Sequence, residues 1–261
     1  MQPTIITLLI LITIPFAAYG IRELLRIPRR RAGLPIAAEV LQDQEPTQGQ
    51  KMYWQFMHSI GMGTDLHREI ARTGKLQPGE KVMDIGAGTG ELALLLKTVV
   101  GKEGQVSAID INEHFLHRCR SRSELYGLEV DFRNGNAAKI PYAENTMDAV
   151  TCSLMAHHLT TALKVSMFDE ILRVLKPGGR MIFFDLAQPR NFREWYQVGA
   201  VLSLDLLFEW HCASVNLRGE LPGMIERTGF EIAELKDHLM RDVRTQFIIG
   251  RKPAPGDCLN S

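Results

Sequence analysis

The stretch Val82-Met83-Asp84-Ile85-Gly86-Ala87-Gly88-Thr89-Gly90 decides the fold of this chain. A short apolar run carries an acid near its end, alternate glycines follow, and a helical pattern begins at about Glu91. Alternate glycines allow the backbone to pass close to a bulky ligand, where any Cβ would intrude. The stretch therefore predicts a strand, a ligand-binding loop and a helix, in that order.

Further segments continue the alternation of strands and helices. Ser107–Asp110 is a second strand-like run that ends in an acid, and Asp148–Ser153 is a later one. Ile171–Arg180 is typical of a helix end and a turn, followed by a strand at Met181–Asp185. Strands that alternate with helices imply a parallel, doubly wound sheet that binds ligands at the carboxyl ends of its strands.

These segments, with Asn134–Ala137 between them, resemble the class I S-adenosylmethionine-dependent methyltransferases over roughly residues 50–250. The stretch Gln105–Pro189 is most similar to the ubiquinone/menaquinone C-methyltransferases (the methyltransferase type 11 branch), and the similarity weakens after Pro189. The resemblance implies an α/β fold with a doubly wound, mainly parallel seven-stranded sheet, that is, the Rossmann-like methyltransferase fold. Phe230–Leu235 and Arg244–Gly250 would form its C-terminal antiparallel hairpin.

The resemblance also implies S-adenosyl-L-methionine as the cofactor and names the residues that would contact it. Asp110 would accept hydrogen bonds from the ribose, as the acid after the second strand does in nucleotide-binding α/β folds. Asn136 stands where the family usually has Asp, and its carbonyl can still accept a hydrogen bond from the adenine amino group. The implied cofactor-binding residues are Asp84, Gly86, Ala87, Gly88, Gly90, Asp110, Ile111, Asn136, Ala137 and Ser153.

Three residues are candidates for the proton acceptor that methyl transfer needs when a hydroxyl, a phenol or an activated carbon attacks. His157 and His158 follow the strand Asp148–Ser153, and Asp185 ends the next strand. Adjacent histidines are expected to point in different directions, so that one of them is structural. Asp185 at a strand end is alternatively a helix or turn cap.

Two other classes of protein remain open. A nicotinamide-dependent oxidoreductase shares the strand–glycine–helix–acid plan, but it would have glycine at the position of Glu91. A catalytically silent, membrane-tethered module that binds S-adenosylmethionine is compatible with Asn136 in place of the usual acid. We expect a methyltransferase whose acceptor is a lipophilic small molecule such as a quinone or a lipid.

Composition bears on the size of the core and on the class of partner. The 261 residues are 45% hydrophobic, which is enough to bury the core of one α/β domain. Lysine plus arginine and aspartate plus glutamate each number 30, and this zero net charge argues against nucleic acid as the main partner. The four cysteines form no C-x-x-C pair, so neither a metal site nor a disulfide framework is predicted. No oligomeric state is predicted.

The amino terminus predicts a membrane anchor. Met1–Ile21 contains no charged side chain and is long enough, as a helix, to span the hydrocarbon core of a bilayer. Five arginines follow between Arg22 and Arg31, opposed only by Glu23. The positive-inside bias predicts a single-pass transmembrane helix with the catalytic domain facing the cytoplasm. A signal peptide with an unusual start and an interfacial helix are the alternatives.

The chain is thus predicted to have four parts: a transmembrane anchor (1–21), a basic juxtamembrane segment and linker (22–50), the methyltransferase domain (51–252) and a flexible tail (253–261). Within the domain, Trp195–Trp210 is rich in large apolar residues and poor in charges. This segment is either a helix packed on the sheet or a lid over an apolar acceptor pocket, next to the bilayer.

Overall fold

The structure, a computed structural model, describes residues 63–202, 208–240 and 243–254. The described residues from Thr64 onwards form one compact unit. The predicted anchor (1–21), the linker (22–50) and most of the tail lie outside the described residues. Among the helices that are described, none combines the length and the apolar character needed to cross a bilayer.

Seven strands of the described chain form a single sheet in the order β3-β2-β1-β4-β5-β7-β6. The strands are Lys81–Ile85 (β1), Gln105–Asp110 (β2), Asp131–Asn134 (β3), Met147–Ser153 (β4), Leu175–Leu186 (β5), Glu231–Met240 (β6) and Val243–Arg251 (β7). Strands β1 to β5 run parallel, and β7 runs antiparallel to both β5 and β6. This confirms the predicted mainly parallel seven-stranded sheet with a C-terminal antiparallel hairpin.

Helices connect the strands as the alternating pattern predicts. They are Thr64–Thr73 (α1), Glu91–Val100 (α2), Glu113–Tyr126 (α3), Thr161–Val174 (α4), Phe192–Leu202 (α5), Phe208–Leu217 (α6) and Leu221–Arg227 (α7), with a 3₁₀ turn at Ala156–His158. Helix α3 begins where the sequence offers a cap, because the side chain of Asn112 accepts a hydrogen bond from the backbone N–H of His114 at 3.0 Å.

The main core lies between the sheet and helices α4 and α7. Apolar side chains recur along α4 at the spacing of one helical face, and Phe168 and Ile171 of this face are fully buried. The ring of Phe168 meets that of Phe183 on β5, with centroids 5.5 Å apart. Each such side chain contributes roughly 1.5–3 kcal/mol by burial, and this packing fixes β4 and β5, whose carboxyl ends carry the candidate site.

Strand β5 begins earlier than the sequence predicts, at Leu175, which already pairs with Met147 of β4. The turn predicted just before Met181 lies within the strand as a bulge. The pairing passes from Leu175 with Met147 directly to Arg180 with Ala149, and Gly178 between them has a φ angle of 77°. The backbone beyond β7 holds this bulge. Gly178 N–H donates to the Lys252 carbonyl, and Lys252 N–H donates to the Gly179 carbonyl, both at 2.9 Å.

Candidate active site

The glycine loop follows β1 and is pinned against the end of β2. The backbone N–H groups of Gly86 and Ala87 both donate to the Ile109 carbonyl, at 2.9 and 3.0 Å. Gly86, Gly88 and Gly90 adopt φ angles of 76°, 51° and 80°, which residues other than glycine rarely adopt. The sequence of the loop is therefore required by its backbone path.

The three glycines differ in what a side chain would meet. A Cβ on Gly86 would lie 2.5 Å from Cγ of Met155, and one on Gly90 would lie 2.7 Å from Sγ of Cys119. A Cβ on Gly88 would meet no described atom closer than the Gly86 carbonyl oxygen, at 4.0 Å. A side chain at Gly86 or Gly90 would therefore meet protein neighbours, whereas one at Gly88 would face open space.

Asp110 joins the glycine loop to the end of β2. Its Oδ2 accepts a hydrogen bond from Gly88 N–H, and its Oδ1 accepts one from Asn112 N–H, both at 2.8 Å. The next residue, Ile111, is 75% exposed although it is large and apolar. A carboxylate beside an exposed apolar side chain suits a ligand that combines hydroxyl groups with a flat, apolar ring.

The loop after β3 contains Asn136 and Ala137. Oδ1 of Asn136 accepts a hydrogen bond from Ala138 N–H at 2.9 Å and closes a local turn. A carbonyl oxygen has two lone pairs, so one acceptor position of this amide remains for a ligand. Ala137 packs against the main core, and Ser153, half-buried, ends β4.

Asp84 is buried in β1, directly beneath the loop. Thr151 on the neighbouring strand donates from Oγ1 to Oδ1 of Asp84 at 2.8 Å. Burial raises the pKa of Asp84 to about 7, an effect that the Thr151 hydrogen bond opposes and the negative charge of Asp110 reinforces. Two acids at the end of one loop suit a cationic ligand, because a nearby positive charge relieves their repulsion. The loop geometry and these acids fit S-adenosylmethionine, whose sulfonium and amino groups are both positive.

Asp84→Asn should change how stability depends on pH. The carboxyl of Asp84 titrates near pH 3.8 when unfolded and about pH 7 when folded, so its contribution to stability is complete below the unfolded value and is lost as pH rises towards 7. The variant should therefore gain free energy of unfolding relative to the parent between about pH 4 and pH 7, by up to about 4 kcal/mol, and then level off. Urea unfolding without cofactor at pH 5 and pH 8 measures this. An equal difference at both pH values would contradict a buried, neutral Asp84.

A tight turn after β4 brings His157 back to the sheet. Leu154 adopts a φ angle of 49°, which is unusual for a large residue and marks a strained bend at this site. Nδ1 of His157 lies 2.7 Å from Oδ1 of Asp185, and the backbone N–H of His157 donates to Oδ2 at 3.2 Å. The structure therefore unites two of the three predicted proton acceptors as one pair, at the carboxyl ends of β4 and β5.

Asp185 orients His157 and is not exposed itself. Burial disfavours its charged form, but the charge and hydrogen bonds of His157, with a further bond from Leu186 N–H, prevail and lower the pKa of Asp185 below its usual value. The carboxylate therefore accepts from Nδ1–H, and Nε2 becomes the nitrogen that exchanges a proton. Asp185 therefore does more than cap a turn, because its carboxylate also contacts the imidazole ring of His157.

The two histidines do not diverge as expected. Their ring centroids lie 4.1 Å apart with an interplanar angle of 41°. Consecutive residues of a 3₁₀ turn point about 120° apart, and the imidazole side chains are long enough to lean together across that angle. His158 is the more exposed of the two rings, and His157 is the one that a hydrogen bond joins to Asp185, at 2.7 Å.

Helix α5 buries polar residues and exposes aromatic ones. Its inner face contains Glu194, Gln197 and Val198, whereas Phe192, Trp195 and Tyr196 are 86%, 40% and 43% exposed. This reverses the usual orientation of a surface helix. Only part of the predicted lid, Trp195–Trp210, is described, because the side chains of residues 199–211 lie outside the described residues.

The start of α5 is fixed to the sheet by Glu194. Its carboxylate pairs with Arg244 of β7 through two hydrogen bonds of 2.8 and 2.9 Å. The side chain of Asn191 caps the helix by accepting from Glu194 N–H at 3.0 Å. The hydrogen bonds from Arg244 lower the pKa of Glu194 to about 2, so this link persists across the physiological range.

Lys164 is a residue of the site that the sequence analysis missed. It is fully buried in α4, and its Nζ donates to the carbonyl oxygens of Leu159 at 2.5 Å and Cys212 at 2.7 Å. Burial lowers its pKa, and the negative charge of Asp185 opposes that shift. Lys164 lies on the same face of α4 as the buried Phe168, four residues later. A lysine in the apolar stripe of a core helix was the sequence signal that could have identified it.

Comparisons with known proteins agree with this geometry. A family model described as a methyltransferase domain matches residues 82–179. The ubiquinone/menaquinone biosynthesis C-methyltransferase of Legionella pneumophila strain Corby is 30% identical over 190 residues, 66% of this chain and 75% of that protein. Its counterpart from Shewanella woodyi is 29% identical over 193 residues, 67% of this chain and 76% of that protein. A putative methyltransferase from Bacillus halodurans C-125 shares the fold, with a TM-score of 0.60 at 22% identity, covering 72% of this chain and 99% of that chain.

Fold and site together define an S-adenosylmethionine-dependent methyltransferase. The chain belongs to the class I family of these enzymes and is related to the ubiquinone/menaquinone C-methyltransferases. The predicted family, enzyme class and cofactor are confirmed. A nicotinamide-dependent oxidoreductase is inconsistent with this assignment. The described residues contain no cluster of three or more metal-ligating side chains.

Proposed function

We propose that this methyltransferase acts on a lipophilic small molecule with a quinol-like head group, bound beside His157 and Asp185. The observation that carries the proposal is the exposed aromatic face of α5, formed by Phe192, Trp195 and Tyr196, on a helix whose start is bonded to the neighbouring strand β7. Exposed aromatic groups of this kind favour an apolar ligand or a bilayer surface. The quinone named in the relatives' titles supports the same acceptor class.

Within this proposal, the cofactor lies along the carboxyl ends of β1, β2 and β4. One side of this cofactor site is formed by Gly88 and Asp110, which are hydrogen-bonded to each other where a Cβ on Gly88 would face open space. Ile111 offers an apolar surface to the adenine, and Asn136 offers an acceptor. The complete set assigned to the cofactor is Asp84, Gly86, Ala87, Gly88, Gly90, Asp110, Ile111, Asn136, Ala137 and Ser153.

The chemistry divides between cofactor and protein. When bound, the cofactor supplies a methyl group on a positively charged sulfur. The protein holds the attacking atom in line with that methyl group and excludes water. Nε2 of His157 takes the proton that the acceptor loses from its hydroxyl or ring carbon, and Asp185 stabilises the resulting imidazolium. The acceptor thus exchanges one proton for one methyl group, and no oxidant or reductant is consumed.

The direct test uses a defined acceptor. Full-length protein is incubated with methyl-labelled S-adenosylmethionine and a short-chain demethylmenaquinol under anaerobic conditions. We expect label in the quinol ring, and a much slower reaction with a catechol of similar reactivity that lacks the apolar side chain. Equal rates with the two acceptors would contradict a lipophilic specificity.

Truncating the aromatic face of α5 should impair acceptor use selectively. Trp195→Ala and Tyr196→Ala should each raise the KM for the quinol by roughly 10- to 150-fold, because a large apolar group buried against a ligand contributes about 1.5–3 kcal/mol. Cofactor affinity and melting temperature should change little, since both side chains are already substantially exposed. Leu239→Ala on β6 removes another exposed apolar group, 55% exposed, and is the matched control. Parallel loss of stability in the α5 variants would show that they are ordinary core.

We further propose that Met1–Ile21 is an uncleaved, single-pass anchor with the catalytic domain on the cytoplasmic side. The support is the charge-free length and the arginines between Arg22 and Arg31. We expect the full-length protein to remain in membranes after alkaline carbonate extraction, and a chain lacking residues 1–21 to be released. Recovery of mature protein that begins near Tyr19 in a soluble fraction would contradict the anchor. Digestion of the catalytic domain by protease added outside sealed cells would contradict its orientation.

A further inference from the structure

Three buried amide side chains carry an atom without a hydrogen-bond partner among the described residues. These atoms are Oε1 of Gln197, Oδ1 of Asn216 and Nε2 of Gln246. A buried polar atom that lacks a partner destabilises a protein by about 1–3 kcal/mol, so each is an exception that calls for a physical reason. The three come from different elements, namely α5, α6 and β7.

Two of the three, Gln246 and Asn216, adjoin the end of β5, where the His157–Asp185 pair lies. Gln246 is the register partner of Asp185 in the antiparallel pairing of β5 with β7. Side chains of directly opposed residues in such a pair point to the same face of the sheet. Gln246 therefore shares the face of Asp185 and of the histidine that Asp185 holds.

Asn216 reaches the same strand end from α6. Its Nδ2 lies 3.5 Å from the Leu186 carbonyl oxygen, one residue beyond Asp185. One helix and one strand thus each place an amide with an unpartnered atom at the last residues of β5.

We propose, building on the quinol-like acceptor proposed above, that Asn216 and Gln246 form the polar subsite that binds the oxygen atoms of the acceptor head group. Oδ1 of Asn216 accepts from a hydroxyl group, and the amide N–H of Gln246 donates to a hydroxyl or carbonyl oxygen. The ligand class is an aromatic ring with at least two oxygen substituents. Lys164, buried nearby on α4, adds positive charge to the same side of the sheet.

This subsite has a signature that ordinary structural amides lack. Replacing such an amide by an apolar group of similar shape removes no hydrogen bond at its unpartnered atom, so the change at that atom is neutral or stabilising in the free protein. Asn216→Leu also removes the long contact of 3.5 Å from Nδ2 to the Leu186 carbonyl. Either replacement removes a partner from the bound ligand. Function should therefore fall without a matching loss of stability.

The experiment compares Gln246→Met and Asn216→Leu with the parent in the full-length protein. Gln246→Met should unfold in urea at the parent's midpoint or above it, and Asn216→Leu should unfold close to that midpoint because it also loses the contact with Leu186. The probes are menadiol, kept reduced anaerobically, and 2-methylnaphthalene, which has the same ring without oxygens. The parent should bind menadiol at least about tenfold more tightly, and this preference should fall towards one in the variants, as expected for the loss of 1.4 kcal/mol or more.

Thr245→Val is the matched control, because its buried hydroxyl is already paired with His238. It should lower stability and leave the menadiol preference intact. Amide variants that are destabilised while keeping that preference would overturn the subsite and assign these atoms to ordered water. A parent that binds both probes equally would overturn it too. If the preference and its loss are observed but no quinol is methylated, the proposed function fails and the subsite stands.

Discussion

Replacing His157 with glutamine should lower kcat by roughly 10²- to 10⁴-fold, the usual contribution of a positioned general base. Glutamine retains a polar side chain near Asp185 but cannot take up a proton. The affinity for S-adenosylmethionine should be unchanged, because no assigned cofactor residue is altered. Quinol turnover and cofactor calorimetry on the same preparation measure the two quantities.

Asp185→Asn should reproduce most of this loss through the histidine. The carboxylate accepts from Nδ1–H at 2.7 Å and so reserves Nε2 for the acceptor's proton, whereas an amide also donates and permits the opposite tautomer. The acid side of the kcat profile should change in this variant, which a purely structural defect would not produce. His158→Gln, at the adjacent ring, is the control and should retain near-parental kcat. Equal losses at His157 and His158, or none at either, would contradict the assignment of the base.

Asp110→Ala should weaken S-adenosylmethionine binding by roughly 10- to 100-fold. The carboxylate is the proposed ribose acceptor, and a hydrogen bond to a charged group contributes about 1.5–3 kcal/mol. It also accepts from Gly88 N–H at 2.8 Å, so the variant loses part of the loop's support as well. Calorimetric titration of folded protein checks the loss, and unchanged affinity would contradict the ribose role.

Gly88→Ala separates ligand contact from backbone strain. Gly88 and Gly79 both have positive φ, 51° and 86°, and an added Cβ meets little or nothing of the described protein at either. Both alanine variants should lose similar stability, about 1 kcal/mol. Only the Gly88 variant should lose cofactor affinity, because its Cβ enters the space assigned to the ligand. Equal affinities in the two variants would place the cofactor elsewhere.

The part of the site around the glycine loop could be predicted from local sequence patterns. The bounds of β1 and the start of α2 at Glu91 follow the sequence closely, because an apolar run, glycines with forced dihedrals and a helical stripe are all short-range signals. The start of β5 at Leu175 did not, since it depends on pairing with Met147 of β4 and on a bulge that is bonded to Lys252, both distant in sequence. Hydrogen bonds between residues so far apart in the chain cannot be predicted from a local sequence pattern.

The acceptor half was predicted only as a set of candidates. His157 and Asp185 were both named, but their pairing depends on a strained bend at Leu154 and on the register of neighbouring strands. The reversed orientation of α5 was also unpredictable from periodicity, because burial of Glu194 depends on Arg244 of β7. A helix can bury its polar stripe only when another element supplies partners for it.

A lipophilic acceptor that is methylated at His157 can be identified without choosing the acceptor beforehand. Full-length protein is incubated with methyl-labelled S-adenosylmethionine and a total membrane lipid extract, and the products are partitioned between water and organic solvent before mass spectrometry. We predict label in an organic-phase compound with an oxygenated aromatic head group, formed by the parent and not by His157→Gln. Label confined to a water-soluble product, such as a methylated amino acid or nucleotide, would contradict the account.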